Sequence, residues 1–548
     1  MILQERFLSA LCQTTDEYEM VGVCYSELLA YVPDNDNNFI ARVDHLASDP
    51  KFKGCAPLFE HLRQTVVKKA RQADLCMDAD GTGFAVFCEA VVDMLRQFEQ
   101  PKGLSKKTCA PVCIFYVLEA LDCYIENNLK QNEQRYSDRR GSGPLNRDSS
   151  RKKCLVYLTE QTSFLTEAYS NNRAGFRNPL HPTRVGEMFN MMLLFEACAL
   201  QKPPSIHLLR VDDAHAARKD KRILIASIPY IGFDTFHFHE LFSTEPCGPG
   251  QVPDGNFYVD YSSEEEQEHI QYMITLIKSA VQQGANIITL PEFIMSPNMK
   301  QELQKHLRGM HRAHRKQVLA VFAGTCYHWD GKKGNNILHI FSGNGENIGC
   351  CYKRSSFLIR REEKFHGAVL SPGKDKPDGS EENAPHRYLD CCELLSDPGK
   401  ECCFLDIDGI GRVMPAVCRD IIDGGSTAVL AEQFLPSLLV VPAWSPSVHT
   451  FQTRFTGLAE TIHTASLLCN CCNAIKDAET PDSCGTTTGL FCMPKKVDGY
   501  MQTESFPIRR PPGCTGTCKA RSGCVMMVEI DFTLGQPTAK IVTPWQNQ

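Results

Sequence analysis

Gly411-Arg412-Val413-Met414-Pro415-Ala416-Val417-Cys418-Arg419-Asp420-Ile421 is an apolar run that delivers one cysteine and then two charges, and the turn residues Asp423-Gly424-Gly425 follow. A buried strand that ends in a sharp turn holds a nucleophile rigidly while leaving it open to a pocket. Cys418 is therefore the candidate nucleophile. The competing reading is that it is a small core residue, since the chain has 27 cysteines and a thiol closing an apolar strand is commonly just packed. The residues upstream decide between the two.

Composition narrows the possibilities first. A chain of 548 residues has length for about two to four domains, and 43% hydrophobic with 22% charged residues is ordinary for a globular protein. The net charge of −7 argues against a general nucleic-acid-binding surface. Met1-Ile2-Leu3-Gln4-Glu5-Arg6 meets a charge pair before any run of signal-peptide length, and no stretch approaches the roughly 20 apolar residues of a membrane span. The expectation is a cytoplasmic protein with no membrane partner. Most of its cysteines are then read as reduced thiols. Adjacent pairs such as Cys350-Cys351, Cys391-Cys392, Cys402-Cys403 and Cys471-Cys472 point to opposite faces if they lie in strands, which suits packing better than a metal cage. Cys514, Cys518 and Cys524 lack a CxxC knuckle and an evident fourth ligand, so no metal is predicted.

Residues 1–219 read as a mainly α-helical region of unreadable role. Thr14 and Glu17 make a capping-box pattern, with Val21, Cys24, Leu28 and Val32 at helical spacing behind it. Ile114, Val117, Leu118, Leu121 and Ile125 repeat the helical pattern. Residues 137–153, with Gly141-Ser142-Gly143-Pro144 among basic residues, predict an exposed linker. Helical patterning resumes over 155–169 and 185–192.

A second domain is predicted over 220–548. Arg222 to Ile228 reads as a buried strand, and the segment up to Tyr261 as a Phe/Pro/Gly-rich loop. Ile270, Met273, Ile274, Ile277 and Val281 line one helical face before the stop at Gly284. The strand Asn286 to Leu290 then ends in Pro291-Glu292-Phe293. In α/β units, active-site groups gather at strand ends, and Glu292 occupies such an end. Val318 to Ala323 is the next strand. Asn336 to Phe341 and Gly349 to Lys353, joined through Ser342-Gly343-Asn344-Gly345, read as a hairpin with Lys353 at its exit. Residues 374–400 are polar and read as an inserted loop. Beyond Cys418 come the buried strand Leu438 to Trp444, a helix from Phe451, and strand-like closing segments.

An acid, a cation and a thiol thus stand at strand ends of one α/β domain. Leu290-Pro291-Glu292, Tyr352-Lys353-Arg354 leading to Glu362-Glu363, Ala416-Val417-Cys418-Arg419-Asp420-Ile421, Val441-Pro442-Ala443-Trp444 and Asn473-Ala474 resemble, in order and context, the nitrilase superfamily of carbon-nitrogen hydrolases. The resemblance covers about 220–545. It implies a four-layer α/β/β/α sandwich with Glu292, Lys353 and Cys418 as a catalytic triad. It further implies Glu362 or Glu363 as the second glutamate, the backbone N–H of Arg419 as an oxyanion donor, Trp444 as a supporting residue, and no cofactor. The family often follows its lysine with His-Leu, where this chain has Arg354-Ser355-Ser356-Phe357.

The implied substrates are small carboxamides, N-carbamoyl compounds or nitriles, and the implied state is a homo-oligomer. Three alternatives stand beside this reading. His366, His449 or His463 would serve a Cys/His hydrolase, an N-acyltransferase would use the same thioester, and an effector domain would answer to a protein partner of residues 1–219.

Overall fold

The structure is a computed structural model. It describes residues 3, 5–13, 17–31, 64, 88–89, 91–93, 95–96, 106–131, 154–158, 192–196, 204–211, 222–230, 236–242, 255–261, 266–359, 370–372, 391–407, 410–423, 425–445, 447–472, 487–498, 500–509, 524–531 and 537–542. The chain divides into two compact units, Met1–Thr162 with Tyr169–Leu209, and Ser163–Ala168 with Arg210–Gln548. The predicted linker at 137–153 lies outside the described residues.

The first unit has helices α1 (Glu5–Cys12), α2 (Glu17–Tyr31) and α3 (Lys106–Gln131), of which α2 and α3 carry the expected helical patterns. Val21, Cys24 and Leu28 are buried, as are Ile114, Val117, Leu118, Leu121 and Ile125. Burial is not confined to those stripes. Cys109 through Leu118 of α3 are all buried, Pro111 included, so this stretch is enclosed rather than half-exposed. The helical reading of 155–169 and 185–192 is corrected at its described ends. Cys154–Leu158 (β1) and Met192–Glu196 (β2) form an antiparallel pair, Val156 opposite Leu194. Five-residue apolar runs fit either period, and here cross-strand pairing wins.

The division between the units falls inside β3 (Ser205–Val211), ahead of the expected boundary at 220. After it come β4 (Arg222–Ser227), β5 (Phe236–Phe242), β6 (Gly255–Tyr261), α4 (Glu266–Gln282), β7 (Ile287–Thr289), α5 (Pro297–Gly309) and α6 (Arg312–Gln317). Next are β8 (Ala320–Trp329), β9 (Gly334–Phe341), β10 (Asn347–Tyr352), β11 (Leu358–Ile359), β12 (Leu370–Pro372), β13 (Cys391–Glu393), β14 (Glu401–Ile407), β15 (Gly411–Pro415) and α7 (Arg419–Ile422). The chain closes through α8 (Ser426–Phe434), β16 (Leu438–Ala443), α9 (His449–Thr461), β17 (Ala465–Asn470), β18 (Thr487–Val497), β19 (Tyr500–Arg509), β20 (Met526–Asp531) and β21 (Thr538–Val542).

Two seven-stranded sheets dominate, ordered β10-β9-β8-β7-β4-β20-β21 and β19-β18-β17-β16-β15-β14-β3. Their centres are parallel: β4, β7 and β8 in the first, β15, β16 and β17 in the second. Strands covered on both faces read as continuous apolar runs, and Leu438-Leu439-Val440-Val441 is buried throughout. Alternation assigns the two faces of the first sheet. Ala226, Ile288, Val321 and Ala323 share a core with Ile270, Met273, Ile277 and Val281 of α4, so the helix covers that face. The other face meets the second sheet. Cys469 Sγ lies 3.5 Å from the Thr289 carbonyl, and Cys351 Sγ lies 3.8 Å from Cys402 Sγ. On the second sheet α9 packs against β17, β18 and β19.

A third sheet, ordered β11-β13-β6-β5-β12, corrects two expectations. The loop expected before Tyr261 contains β5 and β6, paired antiparallel with Phe238 opposite Val259. The loop expected over 374–400 contains β13, which pairs in parallel with β6.

The turn that carries Glu292 is held by close packing at Gly324. Its φ is +71°, and a Cβ there would stand 2.2 Å from the Pro291 carbonyl oxygen and 2.6 Å from Ile294 Cγ2. Gly331 has φ +93° with nothing within 4 Å of such a Cβ, so it isolates the backbone strain from the crowding. Gly324→Ala is expected to lower the unfolding free energy by about 2–4 kcal/mol and Gly331→Ala by about 1–2 kcal/mol. Equal losses in parallel denaturant titrations would contradict the packing argument.

Candidate active site

Glu292 follows β7 on a turn fixed by backbone bonds. Its own N–H donates to the Ala443 carbonyl at 3.4 Å, and the N–H of Phe293, at φ +63°, donates to Thr325 Oγ1 at 2.9 Å. The side chain is 1% exposed and fully engaged. Its Oε2 accepts from the Trp444 N–H at 3.0 Å, and its Oε1 accepts from Lys353 Nζ at 2.7 Å and from Asn336 Nδ2 at 2.9 Å.

Lys353 leaves β10 with its N–H donating to the Asn336 carbonyl at 2.9 Å. Its ammonium sits between two carboxylates, Glu292 at 2.7 Å and Glu393 at 2.5 Å, and faces the rings of Phe293 and Phe357 at 5.7 and 5.9 Å. Burial works to depress the lysine pKa, but the charges of Glu292, Glu393 and Cys418 override it and hold the group above its ordinary value. The cation is permanent at neutral pH.

Cys418 lies at φ +46° and ψ −111°, between the end of β15 and the start of α7. A non-glycine residue there is strained by about 1–3 kcal/mol and must be held by its surroundings. Two hydrogen bonds hold it. The Cys418 N–H donates to the Pro442 carbonyl at 2.9 Å, and the neighbouring Ala416 N–H donates to the Val440 carbonyl at 3.0 Å. Its sulfur points at the Trp444 carbonyl, 3.9 Å away. Burial pushes the thiol pKa well above the ordinary range and the Glu292 charge adds to this, while Lys353 and the Trp444 contact act the other way. Burial and the Glu292 charge both favour the neutral thiol, with its proton on sulfur and a carboxylate acting on it.

Asp420 ties the segment after Lys353 to the segment before Cys418. Its Oδ1 accepts from the N–H groups of Arg354 at 2.9 Å and Ser355 at 2.7 Å, and its Oδ2 accepts from the Val417 N–H at 3.3 Å. Burial raises this acid from the ordinary 3.8 to about 6, against the pull of Lys353, of the Ser355 and Arg354 amides and of the Arg354 charge.

The structure thus brings Glu292, Lys353 and Cys418 together. The second carboxylate at the lysine is Glu393, buried on β13, which also accepts from Asn336 Nδ2 at 2.8 Å and from the Phe357 N–H at 3.1 Å. Burial raises its pKa and Lys353 opposes that. Glu362 and Glu363, expected in that role, lie outside the described residues, as do His366, Cys514 and Cys518. The signal for Glu393 was the apolar patch Cys391-Cys392-Glu393-Leu394-Leu395 inside an otherwise polar stretch. Trp444 contributes its main chain to Glu292 and packs its ring against Phe238, Phe357 and Phe293 at centroid distances of 5.3, 5.9 and 6.3 Å.

The Arg419 side chain pairs with Asp423 at 2.9 Å, and its amide opens α7 next to Cys418. His449 is exposed at the start of α9, and His463 follows that helix, its pKa lowered by burial. Among the described residues no group of three or more His, Cys, Asp or Glu side chains is arranged to hold a metal ion, and no helix is long and apolar enough to cross a membrane.

No model of a known protein family and no curated protein matches the chain. Solved structures of the nitrilase superfamily match about half of it. Saccharomyces cerevisiae Nit3, described as a member of branch 10 of that superfamily, is 13% identical, covering 53% of this chain and 90% of its own at a TM-score of 0.26. A carbon-nitrogen hydrolase from Helicobacter pylori G27 is 11% identical over 57% of this chain and 91% of its own, at 0.30. The NitN amidase from Nesterenkonia sp. AN1 is 13% identical over 53% and 93%, at 0.28. The chemistry of the site rests on its own residues.

The buried Asp420 gives a pH signature. A carboxyl whose pKa is raised on folding binds its proton more tightly in the native state, so its contribution to stability falls as pH rises from about 4 to about 6. Between pH 4 and pH 7 the wild type is expected to lose on the order of 3 kcal/mol relative to Asp420→Asn. Urea titrations across that range test this. A wild-type-minus-variant difference that stays flat, or that grows with pH, contradicts the assignment.

Proposed function

We propose that the second unit is a nitrilase-like carbon-nitrogen hydrolase domain with the four-layer α/β/β/α arrangement, hydrolysing the non-peptide C–N bond of a small carboxamide, N-carbamoyl compound or nitrile through a cysteine thioester. One observation carries the reading: a buried ammonium clamped by two carboxylates, with a strained thiol acting on the same charges.

For an amide the steps follow from the chemistry of these groups. Glu292 takes the Cys418 proton as the sulfur attacks the carbonyl carbon, forming a C–S bond and an oxyanion. Lys353 Nζ and the Arg419 N–H stabilise that oxyanion. Glu292 then gives its proton to the leaving nitrogen, the C–N bond breaks, and the amine departs. Water, deprotonated by Glu292, attacks the thioester; the C–S bond breaks, the acid leaves and the thiol regains its proton. The sum is amide plus water to acid plus amine. Transfer of the acyl group to an amine in place of water would make the same machinery an N-acyltransferase.

Burial supports a small substrate and a dry site. Glu292, Lys353 and Glu393 are each 1% exposed and Cys418 is 3% exposed, so each charge acts in a medium where it is worth more than in water.

Intact-mass measurement after exposure to a panel of small amides and nitriles should show an acyl adduct that maps to Cys418. Cys418→Ala should lose the adduct and lower kcat/KM by at least about a thousandfold, while keeping the wild-type thermal transition. Lys353→Ala should also abolish turnover. Near-normal activity in a well-folded Cys418→Ala protein would sink the mechanism.

A further inference from the structure

Asn336 occupies a place in the site that the triad does not account for. It lies on β9 opposite Tyr327 of β8, is 1% exposed, and offers its carbonyl to the Lys353 N–H. Its side-chain nitrogen donates one hydrogen to Glu292 Oε1 at 2.9 Å and the other to Glu393 Oε1 at 2.8 Å. Its Oδ1 is buried and accepts no hydrogen bond among the described residues. An amide that engages both N–H groups and leaves its oxygen unpaired is oriented by the two carboxylates alone, because the reverse orientation would set an acceptor against two anions. The arrangement leaves a buried polar atom unsatisfied.

The neighbouring charges explain what this amide does. The groups facing Glu292 and Glu393 are Lys353 beyond β10, Cys418 before α7, Tyr327 on β8, and Asp420 on α7, which acts through Lys353. One ammonium serves two buried carboxylates, and without further donors such a pair retains a proton between them. A second cation would remove that proton but would also weaken Glu292 as a base. A neutral amide supplies donors to both acids and adds no charge. It also divides the labour of the two oxygens of Glu292. Oε1 is occupied by Lys353 and Asn336, whereas Oε2 faces the Trp444 N–H, and the Trp444 carbonyl is the group at which the Cys418 sulfur points.

Resting on the hydrolase reading above, we propose that Asn336 is a positioning residue that holds Glu292 and Glu393 as an ionised pair around Lys353 and reserves Oε2 of Glu292 as the atom that receives the Cys418 proton. The Sγ–H bond breaks and an Oε2–H bond forms as the sulfur attacks its electrophile.

The test uses alkylation of Cys418 by iodoacetamide, which requires no amide turnover. The second-order rate is measured from pH 5 to pH 10 on the full chain, with Cys418 followed by peptide mass. Glu292→Gln, which removes the base, identifies the limb of the profile that Glu292 controls. Asn336→Asp keeps the shape of the side chain and adds a third carboxylate, while Asn336→Ser keeps a single donor. The acidic limb is expected to move up by about one pH unit or more in Asn336→Asp, and by less in Asn336→Ser. Thermal unfolding establishes which variants fold, and either one that folds decides the matter. An acidic limb in its wild-type place, in a folded Asn336 variant, overturns the proposal even if amides are hydrolysed. A Glu292→Gln profile that matches the wild type instead overturns the hydrolase reading on which it rests.

Discussion

The buried ammonium of Lys353 is the constraint on which the rest of the site depends. An isolated cation in this interior would lose its proton; here two carboxylates bracket it, and the neutral Asn336 amide donates to both acids. That mutual dependence fixes geometry. Glu292 comes from the turn after β7, Lys353 from the exit of β10 and Glu393 from β13, so three segments must meet to within hydrogen-bonding distance before any of the charges is tolerable. Packing then surrounds the cluster with Phe238, Phe293, Phe357 and Trp444, which keep water from competing for the charges.

Cys418 is coupled to this cluster through main chain as much as through charge. Asp420 accepts from the two amides that follow Lys353 and from Val417, just before Cys418. Trp444 offers its N–H to Glu292 and its carbonyl to the Cys418 sulfur. These links run between the two large sheets, and the strained φ at Cys418 can persist because Ala416 and Cys418 are both hydrogen-bonded to the buried strand β16.

Much of this was legible in the sequence because the large sheets are built from local patterns. Leu438-Leu439-Val440-Val441 can only be a strand buried on both faces or a core helix, and the proline that follows favours the strand. The hairpin of β9 and β10 announces itself through Gly343 and Gly345, and Glu292, Lys353 and Cys418 each close a readable strand. The third sheet was not legible, because its strands are short, its pairings long-range, and Phe236-His237-Phe238-His239-Glu240 is set among glycines and prolines. Glu393 was hidden for the same reason: a carboxylate in a polar stretch looks solvated until its distant partners are known. Asn336 left a faint trace as an amide inside an apolar strand, but nothing in its neighbours along the chain names the two acids it faces. The helical periods read over 155–169 and 185–192 misled at their described ends because apolar runs that short are decided by what lies across from them.

The third sheet carries a consequence for how the molecule is made. Its strands come from three stretches separated in the chain, 236–261, 358–372 and 391–393, and it delivers both Phe238 and the second carboxylate. Closing such distant loops costs entropy before any contact compensates it, so this small sheet belongs among the late events of folding rather than the early ones. Until it forms, Lys353 has only one carboxylate beside it. A nascent chain can therefore build both large sheets, and even seat Cys418, while Lys353 still lacks its second carboxylate, and the charge cluster is completed only when the tertiary structure is.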